Sequence, residues 1–150
     1  MTKKVLSKEA HEYLLRHLIS IEEEKNYVSE VYYANEPAKR GEFTEFVENY
    51  ISYIDNFIQN TSISEDPLTA IPFSTIGNIV EVEDMRRNEI TNYRIISPFL
   101  GNKDFHIDED FASYLSPIGK ALLLKKIGDK TIIETPTGIL EYRIKSFRFP

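Results

Sequence analysis

The side chains able to do chemistry in this sequence are mostly carboxylates. The chain contains 24 Asp and Glu residues, three His and no Cys. The absence of Cys excludes disulfides, thiolate zinc sites and cysteine nucleophiles. Two of the glutamates, Glu42 and Glu45, are three positions apart, which places them on one face of a helix. From the residues alone they are explained as solvated carboxylates in the first turn of a helix, where the helix dipole favours negative charge.

A second segment with distinctive residue types lies at positions 116–125. Ser116 is a preferred N-cap residue and Pro117 suits the first helical position, so a short helix is predicted to begin here. Its apolar residues Ile118, Leu122 and Leu123 are expected to pack on a sheet. Gly119 and Lys120 complete the first turn of this helix.

Composition limits the classes of protein that this chain can be. It has 150 residues, of which 41% are hydrophobic and 28% charged, so it can form one domain or two small modules. The net charge is −6, and most of the acidic excess lies in the first 65 residues, which argues against a protein that coats nucleic acid. No apolar run approaches about 18 residues and no apolar h-region follows Met1, so neither a membrane span nor a signal peptide is expected. A cytoplasmic location is therefore predicted.

The first half has the periodicity of two amphipathic helices. Ser7 can cap the first helix, and Lys25 introduces one polar layer into its apolar stripe. Breakers at residues 35–41, among them Pro37 and Gly41, predict a turn, and two helices joined by a short turn are expected to form an antiparallel hairpin. The apolar stripe of the first helix consists of Ala10, Leu14, Leu18, Ile21, Val28 and Val31/Tyr32, and that of the second of Phe43, Phe46/Val47, Tyr50/Ile51, Ile54 and Phe57/Ile58.

The second half changes to the alternation of strands. Strands are predicted at 79–83, 93–95, 130–134 and 139–147, with turns at 84–89 and 135–138. The predicted fold class is α+β: a helical hairpin over residues 1–62, a linker at 63–72, and a small antiparallel sheet crossed by one helix over 73–150.

The residues of this second half resemble the C-terminal domain of the bacterial Gre transcript-cleavage factors (GreA/GreB). The matching stretches are residues 76–82, 93–96, 116–123, 134–138 and 141–144, in the family's order and nearly at its spacing. The resemblance implies an FKBP-like domain after an N-terminal antiparallel coiled coil. It also implies that RNA polymerase is the partner, that the chain has no active site or cofactor of its own, and that the domain docks at the rim of the polymerase secondary channel. The residues assigned to this docking by resemblance are Ser116, Pro117, Ile118, Gly119 and Lys120.

The family's coiled-coil tip carries two acids that help to hold Mg²⁺ in the polymerase, and two registers are open for it here. The local string at residues 41–46 gives Glu42 and Glu45 these roles, with the Mg²⁺ of the polymerase shared through them. Placing the motif on the turn instead gives Glu36, Lys39 and Arg40, which keeps one acid. The second helix, about 20 residues or roughly 30 Å long, is shorter than that of the family.

Three functions are compatible with these residues. The first is a Gre-type elongation factor that enters the secondary channel and stimulates transcript cleavage in backtracked complexes. The second is a channel-binding regulator that lacks cleavage activity. The third and most remote is a peptidyl-prolyl isomerase, which the FKBP-like fold alone suggests, although a fold does not determine a function.

Overall fold

The computed structural model describes residues 4–65, 70–99 and 110–149. The chain divides into two compact units, Met1–Ile71 and Pro72–Pro150, called here the helical unit and the sheet unit. Residues 66–69 of the predicted linker lie outside the described residues.

The helical unit contains two long helices that are joined by a short turn. Helix α1 spans Lys8–Tyr27 and continues into a π-helical turn, Val28–Tyr32, and helix α2 spans Pro37–Gln59. The hydroxyl of Ser7 accepts a hydrogen bond from the backbone N–H of Ala10 at 3.2 Å, as expected of an N-cap. Lys25 contacts carboxylates of both helices, Glu22 at 2.8 Å and Glu48 at 3.8 Å, which compensates for a cation in the apolar stripe.

Two expectations for these helices are wrong. Gly41 does not interrupt the helix, because α2 begins at Pro37 and continues past Gly41. The cost of an interior glycine, about 1 kcal/mol relative to alanine, is offset by the burial of Phe43 and the residues after it. Val31 and Tyr32 do not belong to the apolar stripe, since they are 59% and 60% exposed. The wider π-helical turn rotates the side chains that follow Val28 away from the stripe.

The buried stripe otherwise follows the predicted helical spacing. In the helical unit, the buried helix positions are Leu14, Ile21, Val28, Phe43, Val47, Tyr50 and Ile54.

A two-stranded parallel sheet also belongs to the helical unit. Strand β1, Lys4–Ser7, pairs with β2, Thr61–Ser64. The sequence predicted no strand at 4–7, and it assigned 61–62 to the end of the hairpin and 63–64 to the linker. Each strand has four residues and pairs across 57 positions, so neither has a local pattern that would reveal it.

The sheet unit contains a five-stranded sheet and one short helix, which confirms the α+β class. Its strands are β3 (Ile79–Asp84), β4 (Glu89–Ile96), β5 (Asp110–Ser113), β6 (Lys130–Thr135) and β7 (Gly138–Arg148), in the order β5-β4-β3-β7-β6. Neighbouring strands are antiparallel except β4 and β5, which are parallel. The expectation of a wholly antiparallel sheet is therefore wrong, because β5 was not predicted.

Helix α3, Pro117–Leu122, lies beside β4, β5 and β6. It is shorter than the predicted 116–125, because Leu123 is already extended and Leu124 has a φ of +60°. The buried apolar side chains of the sheet unit include Phe73, Val80, Val82, Ile95, Tyr114, Leu122, Tyr142 and Ile144. Among the described residues, neither α1 nor α2 contains a stretch long and apolar enough for a membrane span.

Candidate functional site

The segment 116–120 forms a tightly fixed helix start. The Ser116 hydroxyl accepts a hydrogen bond from the Gly119 N–H at 3.0 Å and donates one to the Ser113 carbonyl at 2.7 Å. The Lys120 N–H donates to the Ser116 carbonyl at 2.9 Å. One hydroxyl therefore caps α3 and ties it to the end of β5.

Gly119 is required by the close approach of α3 to the preceding backbone. A Cβ at this position would lie 1.9 Å from the Ser113 carbonyl oxygen, far inside van der Waals contact. Gly119 is buried, whereas Pro117 and Lys120 are exposed and Ile118 is half-buried. The five residues assigned by resemblance are thus divided: Ser116 and Gly119 fix the turn, and the other three form its accessible surface.

The C-terminal end of α3 is fixed by a buried serine. Ser74 is fully buried, and its hydroxyl donates to the Leu122 carbonyl and accepts a hydrogen bond from the Lys125 N–H at 3.0 Å. Its backbone also pairs with Leu124 and Lys125. Both ends of the short helix are therefore held by serine hydroxyls, one of which the sequence analysis did not identify.

The tip of the helical unit is a turn at residues 33–36. The Tyr33 N–H donates to the Val28 carbonyl at 2.8 Å, and the Glu36 N–H donates to the Tyr33 carbonyl at 3.1 Å. The ring of Tyr33 packs against Phe43, with centroids 5.8 Å apart. The turn therefore precedes Pro37, so residues 41–46 lie in the body of α2.

The charges on the two sides of this turn differ, with the carboxylate of Glu30 before it and one carboxylate and two cations at its end and in the first turn of α2. Glu36 pairs with Lys39 at 3.2 Å, and this hydrogen bond raises the pKa of Lys39. The Arg40 guanidinium donates to the Ala34 carbonyl at 3.4 Å. The side of the tip that carries Glu36, Lys39 and Arg40 has one carboxylate and two cations, which is less suited to a divalent metal than a pair of free carboxylates.

Glu42 and Glu45 lie together but behind the tip. They are five and eight positions after Pro37, or about 7.5 and 12 Å along the axis. The expectation that they lie in the first turn of a helix is wrong, since they are in its second and third turns. Both are exposed while Phe43 and Val47 are buried, so the acids lie on the outer side of α2. Neither forms an ion pair with another described residue.

The turn also exposes apolar surface that the sequence analysis did not predict. Tyr27, Val31 and Tyr32 are 55%, 59% and 60% exposed, and the rings of Tyr32 and Tyr33 meet edge to face at 5.1 Å. The helical spacing of Val31 and Tyr32 indicated an apolar stripe, and no residue in the sequence signals the π-helical turn that displaces these two side chains.

The imidazole of His17 contacts aromatic residues of both long helices. Its Nε2 lies 2.7 Å from the Tyr50 hydroxyl, and its ring stacks on Tyr13. Burial lowers the pKa of His17 to about 4, so the ring is neutral at pH 7 and serves the packing of the two helices. His106 lies outside the described residues.

No group of three His, Asp or Glu residues within the described ranges is arranged to hold a metal ion. Glu42 and Glu45 therefore provide at most two ligands to an ion that another molecule also holds. The fit to Mg²⁺ is limited to the chemistry of their carboxylate oxygens, which are hard ligands.

Comparison with known proteins identifies the sheet unit. Residues 74–149 match the model for the GreA/GreB transcription elongation factor C-terminal domain. Transcription elongation factor GreA of Clostridium novyi is 30% identical over 103 residues, which cover 69% of this chain and 62% of that protein. The GreA of Clostridium kluyveri is 32% identical over the same shares of the two chains.

The solved structures give a weaker likeness. The GreA/GreB factor of Nitrosomonas europaea aligns over 99% of this chain and 100% of its own, with 17% identity and a TM-score of 0.49. The chain spans about three fifths of the length of the GreA proteins that it matches. Because the family model covers more than half of the residues, this chain belongs to the GreA/GreB transcription elongation factor family.

Proposed function

We propose that this chain binds RNA polymerase, with the sheet unit docking at the rim of the secondary channel and the hairpin entering it. The observation that carries this proposal is the family membership of residues 74–149. The fixed helix start supports it, because Pro117, Ile118 and Lys120 form a preorganised surface, and preorganisation reduces the entropic cost of binding.

The tip favours a regulator that occupies the channel without strongly stimulating cleavage. Its turn carries one acid, Glu36, and that acid is already paired with Lys39. Two cations beside the turn oppose the approach of Mg²⁺, since like charges repel. In this proposal the hairpin affects transcription because it occupies the secondary channel.

A second candidate is stimulation of transcript cleavage through Glu42 and Glu45. Their exposure, their shared outer face and their lack of ion pairs among the described residues support it. A second Mg²⁺ in the polymerase would activate water and stabilise the charge on the transferred phosphoryl group. The two glutamates would be ligands of that ion on one side. To bring both of them to the ion, the hairpin would have to enter the channel at least about 12 Å further than it would to bring its tip there.

A peptidyl-prolyl isomerase is the remote alternative. That activity needs a hydrophobic pocket lined by aromatic side chains. The strand pattern of the sequence shows no surplus of aromatic residues to line such a pocket, which does not favour this function.

Backtracked elongation complexes with labelled RNA provide the test. We expect the protein to bind these complexes and to change their elongation, with little shortening of the RNA 3′ end. If cleavage occurs and disappears in Glu42→Gln/Glu45→Gln, but not in the exposed control pair Glu9→Gln/Glu23→Gln on α1, the second candidate would replace the first. Absence of binding to polymerase would refute both and make a proline-isomerisation assay the next measurement.

Docking by the sheet unit has its own pair of variants. Lys120→Glu reverses a charge on the accessible surface of residues 116–120, and we expect it to weaken polymerase binding by about tenfold. Lys130→Glu makes the same charge change on the exposed strand β6 and should leave the affinity within about twofold. Equal weakening by both would indicate a general charge effect and contradict the docking surface.

A further inference from the structure

Two turns at one end of the sheet unit enclose a cleft of about 280 Å³. One is the turn between β3 and β4, which contributes Asp84, Arg86 and Arg87. The other is the turn between β6 and β7, which contributes Thr135, Thr137 and Gly138, with Ile139 and Leu140 beside it. They meet because β3 and β7 are neighbours, and the Met85 N–H donates to the Glu141 carbonyl at 2.8 Å.

The β3–β4 turn is held in shape by its own aspartate. One carboxylate oxygen of Asp84 accepts hydrogen bonds from the N–H groups of Arg86 and Arg87, at 2.9 and 3.1 Å. The Asn88 N–H donates to the Asp84 carbonyl at 2.8 Å, and Asn88 has a φ of +56°. Asp84 is buried and one of its carboxylate oxygens faces the backbone, whereas Arg86 and Arg87 are exposed.

The two arginines have little competition for an anion. Arg87 is exposed and forms no ion pair with another described residue. Arg86 reaches Glu141 only at 4.0 Å, and both of these side chains are partly exposed. An exposed ion pair at this distance contributes little to stability, so an incoming anion can displace the Glu141 carboxylate from Arg86.

The opposite turn offers hydroxyl groups. The Thr135 hydroxyl donates to the Gly138 carbonyl at 2.7 Å and lies 3.3 Å from that of Thr137. Thr137 is exposed, and its long contact with Thr135 can be exchanged for a shorter one to an oxyanion. The cleft is therefore lined by two arginines and a hydroxyl donor, together with the carboxylate of Asp84, one oxygen of which already accepts two backbone N–H groups. Guanidinium and hydroxyl groups suit the tetrahedral oxygens of a phosphate.

We propose that this cleft binds a phosphate group, held by Arg86 and Arg87 with Thr137 as a further donor. Its volume of about 280 Å³ lies just below the roughly 300–1,000 Å³ typical of ligand pockets, which suits a phosphate or pyrophosphate moiety better than a whole nucleotide. The site lies apart in sequence from residues 116–120 and from the tip, and it does not depend on the proposed binding to polymerase.

The test follows backbone amide signals of the ¹⁵N-labelled full chain by NMR. Inorganic phosphate and pyrophosphate are titrated at constant ionic strength against sodium chloride. We expect saturable shifts at residues 85–88 and 135–138 that chloride does not cause. Shifts that match those of chloride, or that fall elsewhere, would refute the site.

Matched variants separate the site from general charge. Arg87→Gln should weaken phosphate binding by about tenfold, the loss expected when one charge-assisted hydrogen bond is removed. Arg148→Gln removes the same charge from an exposed position near the end of β7 and should change the affinity by less than twofold. Equal effects of the two variants would refute the proposal.

A third titration identifies the source of the phosphate. A single-stranded oligonucleotide without terminal phosphates offers only backbone diesters. Shifts at the same residues with this probe support a phosphate site that accepts nucleic-acid backbone, whereas shifts with pyrophosphate alone support one for free phosphate or phosphate esters. Polymerase binding by Arg87→Gln is expected to equal that of the unaltered chain, so failure of this inference is distinguishable from failure of the proposed function.

Discussion

The conformations of the segment 116–120 and of the turn at 33–36 are stabilised by different kinds of contact. The first is fixed by backbone contacts: Ser116 caps the helix and Gly119 touches the Ser113 carbonyl. The second has few backbone constraints and exposes most of its side chains. A site built from backbone geometry preserves a readable residue pattern, because few other residues fit it. A site built from exposed side chains can change its chemistry while the fold stays the same.

The largest expected effect is on the free energy of unfolding when either of two glycines, Gly119 and Gly41, is replaced by alanine. Gly119→Ala should lower the free energy of unfolding of the sheet unit by about 3 kcal/mol, because its Cβ meets backbone that must move. Gly41→Ala should raise that of the helical unit by about 1 kcal/mol, since a Cβ there meets no atom within 4 Å. Urea titrations followed by NMR report on each unit separately. If both substitutions changed the free energy of unfolding in the same direction, the two glycines would not have the different roles described.

Loss of the Ser116 hydroxyl should have a smaller effect on the same segment. Ser116→Ala removes the N-cap of α3 and the bond to Ser113, and we expect a loss of about 1–2 kcal/mol in the free energy of unfolding. Ser116→Thr retains both hydrogen bonds and serves as the control. If the alanine variant unfolds at the same urea concentration as the threonine variant, the hydroxyl does not fix the turn.

The helical unit should be sensitive to pH through His17. The folded pKa of about 4 lies below the usual 6.5, so protons bind first to the unfolded chain and stability falls as the pH drops below about 6.5. The expected loss is about 1 kcal/mol between pH 7.5 and 5.5. Thermal unfolding of the unaltered chain and of His17→Gln tests this. An equally steep pH dependence in the variant would assign the effect to other groups.

The smallest expected effect is at the tip. Lys39→Gln breaks the exposed pair with Glu36, and we expect no measurable change in the unfolding of the helical unit, because such pairs contribute little to stability. The same variant frees Glu36 and removes a cation, so its cleavage activity in backtracked complexes should equal or exceed that of the unaltered chain. A clear loss of stability would show that the tip is more constrained than its hydrogen bonds indicate.

The elements that the sequence predicted are those with a repeating local pattern. The two long helices, the strands β3, β4, β6 and β7, and the Ser116 cap all have such a pattern. Strand β5 has four residues without alternation and exists because it pairs with β4. Strands β1 and β2 likewise form only through each other.

The candidate site was predicted only in part, because only part of it has a local sequence pattern. The residues 116–120 could be identified because a capping serine, a proline and a close-approach glycine are local requirements. The turn was predicted only approximately, at 35–41 where the structure has it at 33–36, because no residue signals the π-helical turn that precedes it. The register of the tip acids stays open between Glu36 and the pair Glu42/Glu45. Asp84, which shapes the turn at 84–88, has a residue type common to hairpin turns.

The pairing of β1 with β2 also bears on the order of folding. Contacts around the turn at 33–36 join residues close in the chain, whereas Lys4 pairs with Thr61 across 57 positions. Closing a longer loop costs more chain entropy, and local contacts form faster than distant ones. The hairpin should therefore form from its tip toward its base, and the parallel strands should close last and open first. Contacts around the tip are therefore expected to form early in the folding of the helical unit, before the strands β1 and β2 pair.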